Sequence, residues 1–327
     1  MPNWIGDFVM ATPILTDLRK KFPEAEITAM CKNPLGDLLK EDEDINELFS
    51  FSRLPNGFSR RIAKRNIIEK LRSGEYDAGL LLTNSFSSAW WFWQGKVQNR
   101  VGYSCNVRSI FLNYPIVQEN TGHQVVVYKR LLQPFGIDIT DTPTRLFLQV
   151  EEVKKSKELL YHRGYVEGKK LIGIHPGAAY GSSKCWPWER YRAVAKKLLE
   201  NPELYVLFFG DITQTNLIKN ISQGLGPRAI NLAGITAIRE LMALIKDLHL
   251  FLTNDSGPMH IASALGTPLI ALFGSTDDRK TGPYKGGVVL NKHASCSPCF
   301  KRRCPIDFRC MMEITVEEVL AEMKKYV

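Results

Sequence analysis

Short apolar runs separated by helical patterns recur along almost the whole chain, and this alternation restricts the fold more than any other feature. Candidate strands are residues 25–30, 76–82, 171–174, 204–210, 248–253 and 268–274. Helical patterns lie between them, for example at 60–73, 122–133, 187–200, 213–224 and 236–247. The runs are apolar without strict alternation, so each strand is expected to be covered on both faces. Such strands joined by helices make a parallel sheet of the doubly wound α/β type. At 327 residues the chain is long for one core, so two Rossmann-like domains are expected. Pro143 and a cluster of turn formers in 138–150, followed by an extended segment, put the boundary near 150–165. The reading is therefore an N-terminal domain over 1–155 and a C-terminal domain over 156–327. The second carries an irregular Cys-rich loop, 296–310, and a final helix over 315–327 that can fold back on the first domain. Two such domains facing each other leave a cleft at the carboxyl ends of both sheets, where ligands bind.

Functional weight therefore falls on residues that follow strands. The clearest case is Asn254-Asp255-Ser256-Gly257, a tight polar turn between a buried strand and a short helix. That helix runs through Pro258, Met259 and His260 to Leu265, and Gly266 is suited to close it. Such a turn aims free backbone N–H groups and the positive end of the helix dipole at one spot, an anion site. The same stretch also reads as an ordinary helix start capped by Asp255 or Ser256.

Three further loops follow strands in the second half. The first, 175–187, is rich in small residues, including Gly177 and Ala178, and ends with Lys184. Lys184 can neutralise a phosphate as a point charge, or it is a solvated surface lysine. Gly177 and Gly181 lack the P-loop spacing, and no G-x-G-x-x-G follows a strand, which argues against a nicotinamide dehydrogenase. The other two are Gly210-Asp211 and the segment 233–236 around Gly234. Together the four loops can line one pocket for a nucleotide diphosphate.

In the first half, Gly6-Asp7 precede an apolar helical pattern with Pro13 near its start. Asp7 is expected at or near a helix N-terminus, where the dipole favours its ionised form. An ionised carboxylate there can act as general base toward a hydroxyl; the alternative is that it only caps the helix.

The balance of 43 Lys plus Arg against 34 Asp plus Glu gives a net charge of +9, which favours an acidic partner without naming it. The basic residues concentrate in 53–72, where Arg53, Arg60, Arg61, Lys64, Arg65, Lys70 and Arg72 face one acid, Glu69. That stretch reads as an anion-binding surface, chiefly at Arg60 and Arg61, or as a solvated helix face. The basic residues are not interleaved with aromatics on a sheet, so a nucleic-acid-binding protein is disfavoured. No apolar run is long enough to cross a membrane, and the N-terminus lacks a signal-peptide pattern, so a cytosolic chain with reduced thiols is expected.

Trp90-Trp91-Phe92-Trp93 is too dense for one helix stripe, and packing between elements is favoured over membrane contact. Asp42-Glu43-Asp44, the only Asp-x-Asp match, reads as a solvated loop rather than a metal site. Cys296, Cys299, Cys304 and Cys310 have a spacing able to hold one tetrahedral ion, zinc first, with free thiols or an oxidisable pair as alternatives. Cys31, Cys105 and Cys185 read as isolated.

The segment 3–13, Lys184 with the following Cys-Trp-Pro, and Asn254-Asp-Ser-Gly-Pro-Met-His resemble the signature elements of glycosyltransferase family nine, the lipopolysaccharide heptosyltransferases. Residues 100–103, His123 and the terminal Cys-rich run are most similar to the heptosyltransferase II branch. The resemblance covers nearly the whole chain. It implies a GT-B fold of two Rossmann-like domains, and inverting, metal-independent transfer of heptose from ADP-heptose to a heptosylated Kdo-lipid A inner core. It implies a peripheral protein on the cytosolic face of the inner membrane, at an anionic membrane surface, with no nucleic-acid partner and no required cofactor. Carried over by position, Asp7 is the general base, Lys184 contacts donor phosphate or sugar, and Asp255, Ser256, Gly257 and His260 form the donor-pyrophosphate turn. The acceptor candidates are Gly6, Arg60, Arg61, Asn84, Arg100 and His123. Another GT-B sugar-nucleotide enzyme, either a different family-nine transferase or an epimerase, is the alternative. In the family, the Gly-Asp turn follows a first β-strand; only six residues precede Asp7, so that strand is expected upstream of Met1.

Overall fold

The computed structural model describes residues 1–52, 58–105, 107–119 and 121–327. The chain divides into two compact units, Met1–Thr144 and Arg145–Val327.

The second unit holds a six-stranded sheet. Its strands are β6 (Lys170–His175), β7 (Leu204–Phe208), β8 (Ala229–Asn231), β9 (Leu250–Asn254), β10 (Leu269–Phe273) and β11 (Val288–Asn291), numbered after five in the first unit. All neighbours are parallel, in the order β11-β10-β9-β6-β7-β8. This is the order of a Rossmann sheet, with the chain reversing direction between β6 and β9. Every residue of β7, β9 and β10 is buried, which is why these strands read as unbroken apolar runs. The last helix, Val316–Met323, buries Val319 and Met323 in this unit's own core, beside Trp186 and Val194. Its apolar positions, spaced three and four apart, find their partners on the helix Trp188–Leu198 and on β10.

The first unit has two parallel sheets: β1 (Thr28–Lys32) with β2 (Glu47–Phe51), and β3 (Ala78–Leu81), β4 (Asn99–Tyr103) and β5 (Tyr114–Ile116) in that order. Its α-helices are α1 (Ile5–Met10), α2 (Pro13–Lys21), α3 (Phe58–Ser73), α4 (Phe86–Gln94) and α5 (Gln124–Lys129). The helical pattern after Asp7 breaks in two because Pro13 has no N–H to continue the first helix and instead starts the second. Residues 1–4 carry no strand, and the terminal ammonium donates to the Met30 carbonyl at 2.8 Å.

Asp42 is buried and Asp44 half-buried, and both are bonded within the chain. Asp42 is 7% exposed and accepts from the Asp44 N–H, while Asp44 accepts from Thr16 and its carbonyl holds Arg19. Asp44 thus tethers α2 and Asp42 braces Asp44, partners that a charge run in sequence does not reveal. The aromatic run lies on α4 and points several ways: Trp91 meets Phe51, Trp93 meets Phe111, and Lys64 sits over Trp90. Among the described residues no helix is long and apolar enough to cross a membrane.

Candidate active site

In an open parallel sheet, ligands bind beyond the carboxyl ends of the strands where the order reverses. Here that point lies between the ends of β6 and β9, at His175 and Asn254. Asn254 is fully buried and ties the neighbouring loop down. Its Nδ2 donates to the Pro176 carbonyl at 2.6 Å, and its Oδ1 accepts from the Trp186 N–H at 3.1 Å and the Tyr191 hydroxyl at 2.6 Å. This one side chain, at the end of β9, thus anchors both ends of the loop that carries Lys184. Sequence reading placed Asn254 in the turn but gave it no role. The available signal was a polar residue closing an otherwise apolar buried strand.

Lys184 lies in this fixed loop, half-buried, with its ammonium 2.5 Å from Oδ2 of Asp255. It is therefore not a solvated surface lysine. The helix α6 (Gly257–Leu265, the first helix labelled here in the second unit) starts beside this pair. Its N-cap is Ser256, but the serine side chain makes no capping bond. The Ser256 hydroxyl instead lies 3.0 Å from that of Thr253 and 3.3 Å from Nδ1 of His175. Neither Asp255 nor Ser256 caps the helix, so its first N–H groups keep the positive potential that an anion would meet. Gly266, at φ +73°, closes the helix as expected. Burial pushes the His175 imidazole down to about 4, against a weaker opposite pull from Asp211, so the ring is neutral near pH 7.

The other expected donor residues sit around the same strand ends. Gly177 and Gly210 both approach Gln214 so closely that a Cβ would crowd its side chain. Asp211 accepts from the Thr213 N–H at 2.8 Å and caps the short turn after β7. Gly234, at φ +75°, donates to the Gly210 carbonyl at 2.9 Å. Ala178 is partly exposed on the Lys184 loop, whereas Pro258, Met259 and His260 are buried in α6.

In the first unit, Gly6 and Asp7 lie in the first turn of α1, and Asp7 Oδ1 accepts from the Tyr128 hydroxyl at 3.3 Å. Tyr128 comes from α5, which packs on α1. Three acceptor candidates have local work. The Arg100 guanidinium donates to the carbonyls of Phe111, Val97 and Gln98. His123 caps α5 through the Val125 N–H, and Asn84 donates to Gln118. Arg61 is exposed on α3, on one helix face with Lys64, Arg65, Glu69 and Arg72, where Arg65 pairs with Glu69. Arg53 and the side chain of Arg60 lie outside the described residues.

All four C-terminal cysteines are free thiols, and among the described residues no group of three or more His, Cys, Asp or Glu is placed to hold a metal ion. Cys310 is pushed up to about 11, first by burial and then by the nearby cysteines.

A Rossmann-ordered sheet with a half-buried lysine and an open helix N-terminus at its switch point suits an anionic ligand, and comparison with known proteins identifies the class as glycosyltransferase. The fold matches that of the Escherichia coli ADP-heptose LPS heptosyltransferase II, with a TM-score of 0.84 at 24% identity over 99% of this chain and 96% of that one. It also matches a family 9 glycosyltransferase from Veillonella parvula, with a TM-score of 0.86 at 23% identity over 100% and 94%. These are GT-B structures, and this chain shares their fold. Lipopolysaccharide heptosyltransferase 2 of Salmonella typhimurium is 31% identical over 88% of this chain and 86% of its own length. The model of glycosyltransferase family 9 (heptosyltransferase) matches residues 64–308, and the chain belongs to that family.

Proposed function

We propose that this glycosyltransferase moves heptose from ADP-heptose onto the heptosylated Kdo-lipid A inner core in lipopolysaccharide core biosynthesis. The observation that carries the reading is the Lys184–Asp255 pair beside the uncapped start of α6, at the switch point of a Rossmann sheet. Relatives named for ADP-heptose and for lipopolysaccharide support the donor and the acceptor.

In the proposed reaction an acceptor hydroxyl gives its proton to Asp7 while its oxygen attacks the anomeric carbon of the heptose. The bond from that carbon to the β-phosphate oxygen breaks, with inversion, and ADP leaves with the electron pair. The growing negative charge on the diphosphate is met by the N–H groups of α6 and by Lys184, which fits a reaction without a divalent ion. Tyr128 orients the Asp7 carboxylate through its hydroxyl. The basic face of α3 at Arg61 is assigned to the phosphates and acidic sugars of the acceptor. Association with an anionic membrane surface belongs to the same reading, supported by that face and by the exposed rings of Phe86 and Trp93 on α4.

The test is a transfer assay with ADP-heptose and heptosylated Kdo-lipid A, in EDTA, for the intact chain and for Asp7→Ala. Product that forms in EDTA and falls at least roughly a hundredfold in the variant supports the base and the metal-free route. Product that requires added metal, or survives in the variant, overturns them. Transfer from a UDP-sugar in place of ADP-heptose moves the reading to another family-nine activity.

A further inference from the structure

The Cys-rich loop has no part in the mechanism above, yet it lies against the Lys184 loop. Ser183 donates its N–H to the Arg302 carbonyl at 3.2 Å and its hydroxyl to the Lys301 carbonyl. The Tyr180 hydroxyl donates to the Phe300 carbonyl at 2.7 Å, and the Phe300 N–H donates to Ser275 at 2.8 Å, just past the end of β10. Gly181 lets the two backbones meet, since a Cβ there would strike the Arg302 carbonyl. Residues 300–302 are therefore docked on the switch-point loops by several independent bonds.

This docking brings a second cation to Lys184. The Lys184 ammonium lies 4.9 Å and the Arg302 guanidinium 5.3 Å from the centroid of the same ring, Tyr180. Two cations on one ring repel each other, and the ring's quadrupole offsets only part of that. Asp255 neutralises Lys184. Arg302 has no carboxylate within ion-pair distance among the described residues, nor do its neighbours Lys301 and Arg303, and all three are exposed. A guanidinium whose backbone is docked on the Lys184 loop, and which shares the Tyr180 ring with Lys184 without a counter-charge of its own, is arranged for an anion.

We propose that Arg302 is a second cation for the donor diphosphate and that the Cys-rich loop serves as a wall of the donor site, with Tyr180 spacing Arg302 from Lys184. The planar guanidinium can take two oxygens of one phosphate with a rigid, parallel pair of N–H bonds, whereas the lysine acts as a point charge. This inference rests on the donor reading above.

Isothermal titration of ADP and of adenosine into the intact chain, Arg302→Gln and Arg302→Lys tests it, with thermal melting to check folding. Arg302→Gln is expected to weaken ADP binding roughly ten- to a hundredfold and leave adenosine binding unchanged, while Arg302→Lys recovers part of the loss. Equal ADP affinity for Arg302→Gln and the intact chain would overturn the inference and leave the donor reading standing. A loss shared by ADP and adenosine would assign the loop a purely structural role, which also overturns it. An intact chain that does not bind ADP removes the donor reading itself.

Discussion

Oδ2 of Asp255 lies 2.5 Å from the Lys184 ammonium and also accepts a 2.5 Å hydrogen bond from the Thr276 hydroxyl. One carboxylate oxygen thus joins the loop after β6 to the ends of β9 and β10. Under the donor reading proposed above, an acid in this turn would repel a phosphate, so its role there is indirect: it fixes Lys184 and stops that ammonium from folding away. The side chains are 14% and 5% exposed, so removing one partner leaves a nearly buried charge. Asp255→Ala is expected to lower unfolding free energy by about 3 kcal/mol, measured by urea denaturation. The double variant with Lys184→Met should lose less than the two single losses together. Additive losses would mean that the pair is not coupled.

Tyr128 reaches Asp7 from a helix far away in sequence, and the contact is a single hydrogen bond of 3.3 Å. Tyr128→Phe keeps the ring and removes the hydroxyl, with its bond to Asp7 and its contact with Gln124. If the hydroxyl orients the general base, kcat should fall by roughly tenfold, the value of one hydrogen bond, with KM unchanged. Asp7→Asn should cost about two to four powers of ten in kcat. Steady-state kinetics with saturating donor decides it. A KM effect without a kcat effect in Tyr128→Phe would remove the positioning role.

Much of this was legible in the chain because burial on both faces leaves a plain signature. The strands β6, β7, β9 and β10 lie in apolar runs and are almost wholly buried, β3 falls within 76–82 with one face buried, β1 overlaps the expected 25–30 only at 28–30, and Gly266 closes α6 as its sequence position indicates. Strands β2, β4, β5, β8 and β11 were not legible. They are three to five residues long, and most carry polar or half-exposed positions, so their patterns resemble loops. At the site, sequence reading singled out the charged and glycine-rich positions. The side chains that hold them, Asn254, Thr276, Tyr180 and His175, act through contacts between residues about 20 to more than 100 positions apart, and no local pattern encodes those.

Asn254 gives the sharpest stability test of the site. Its amide serves the Pro176 carbonyl, the Trp186 N–H and the Tyr191 hydroxyl, all in buried surroundings. Asn254→Ala would leave those groups unpaired, at about 1–3 kcal/mol for each buried group that finds no water. Because the Lys184 loop hangs on these bonds, ADP affinity should fall with stability. Tryptophan fluorescence should report both, since Trp186 is buried at that junction. A stable variant with unchanged ADP affinity would show that the loop is held by other means.

His175 ends β6 beneath the turn and touches Ser256 at 3.3 Å. Burial pushes its imidazole down to about 4 in the folded protein, the effect of Asp211 being smaller. In the unfolded chain a histidine titrates near 6.5. Between these values the unfolded chain takes up a proton that the folded protein refuses. Stability from this group is therefore complete above about pH 6.5 and is lost as the pH falls toward 4. The lost contribution comes from the cost of charging a buried ring, so it should vanish when the ring cannot titrate. His175→Gln is expected to flatten the fall in urea midpoint over that window, even if it lowers the midpoint at pH 7. Parallel curves for the two proteins from pH 7 to pH 4 would show that His175 is not the group that refuses the proton.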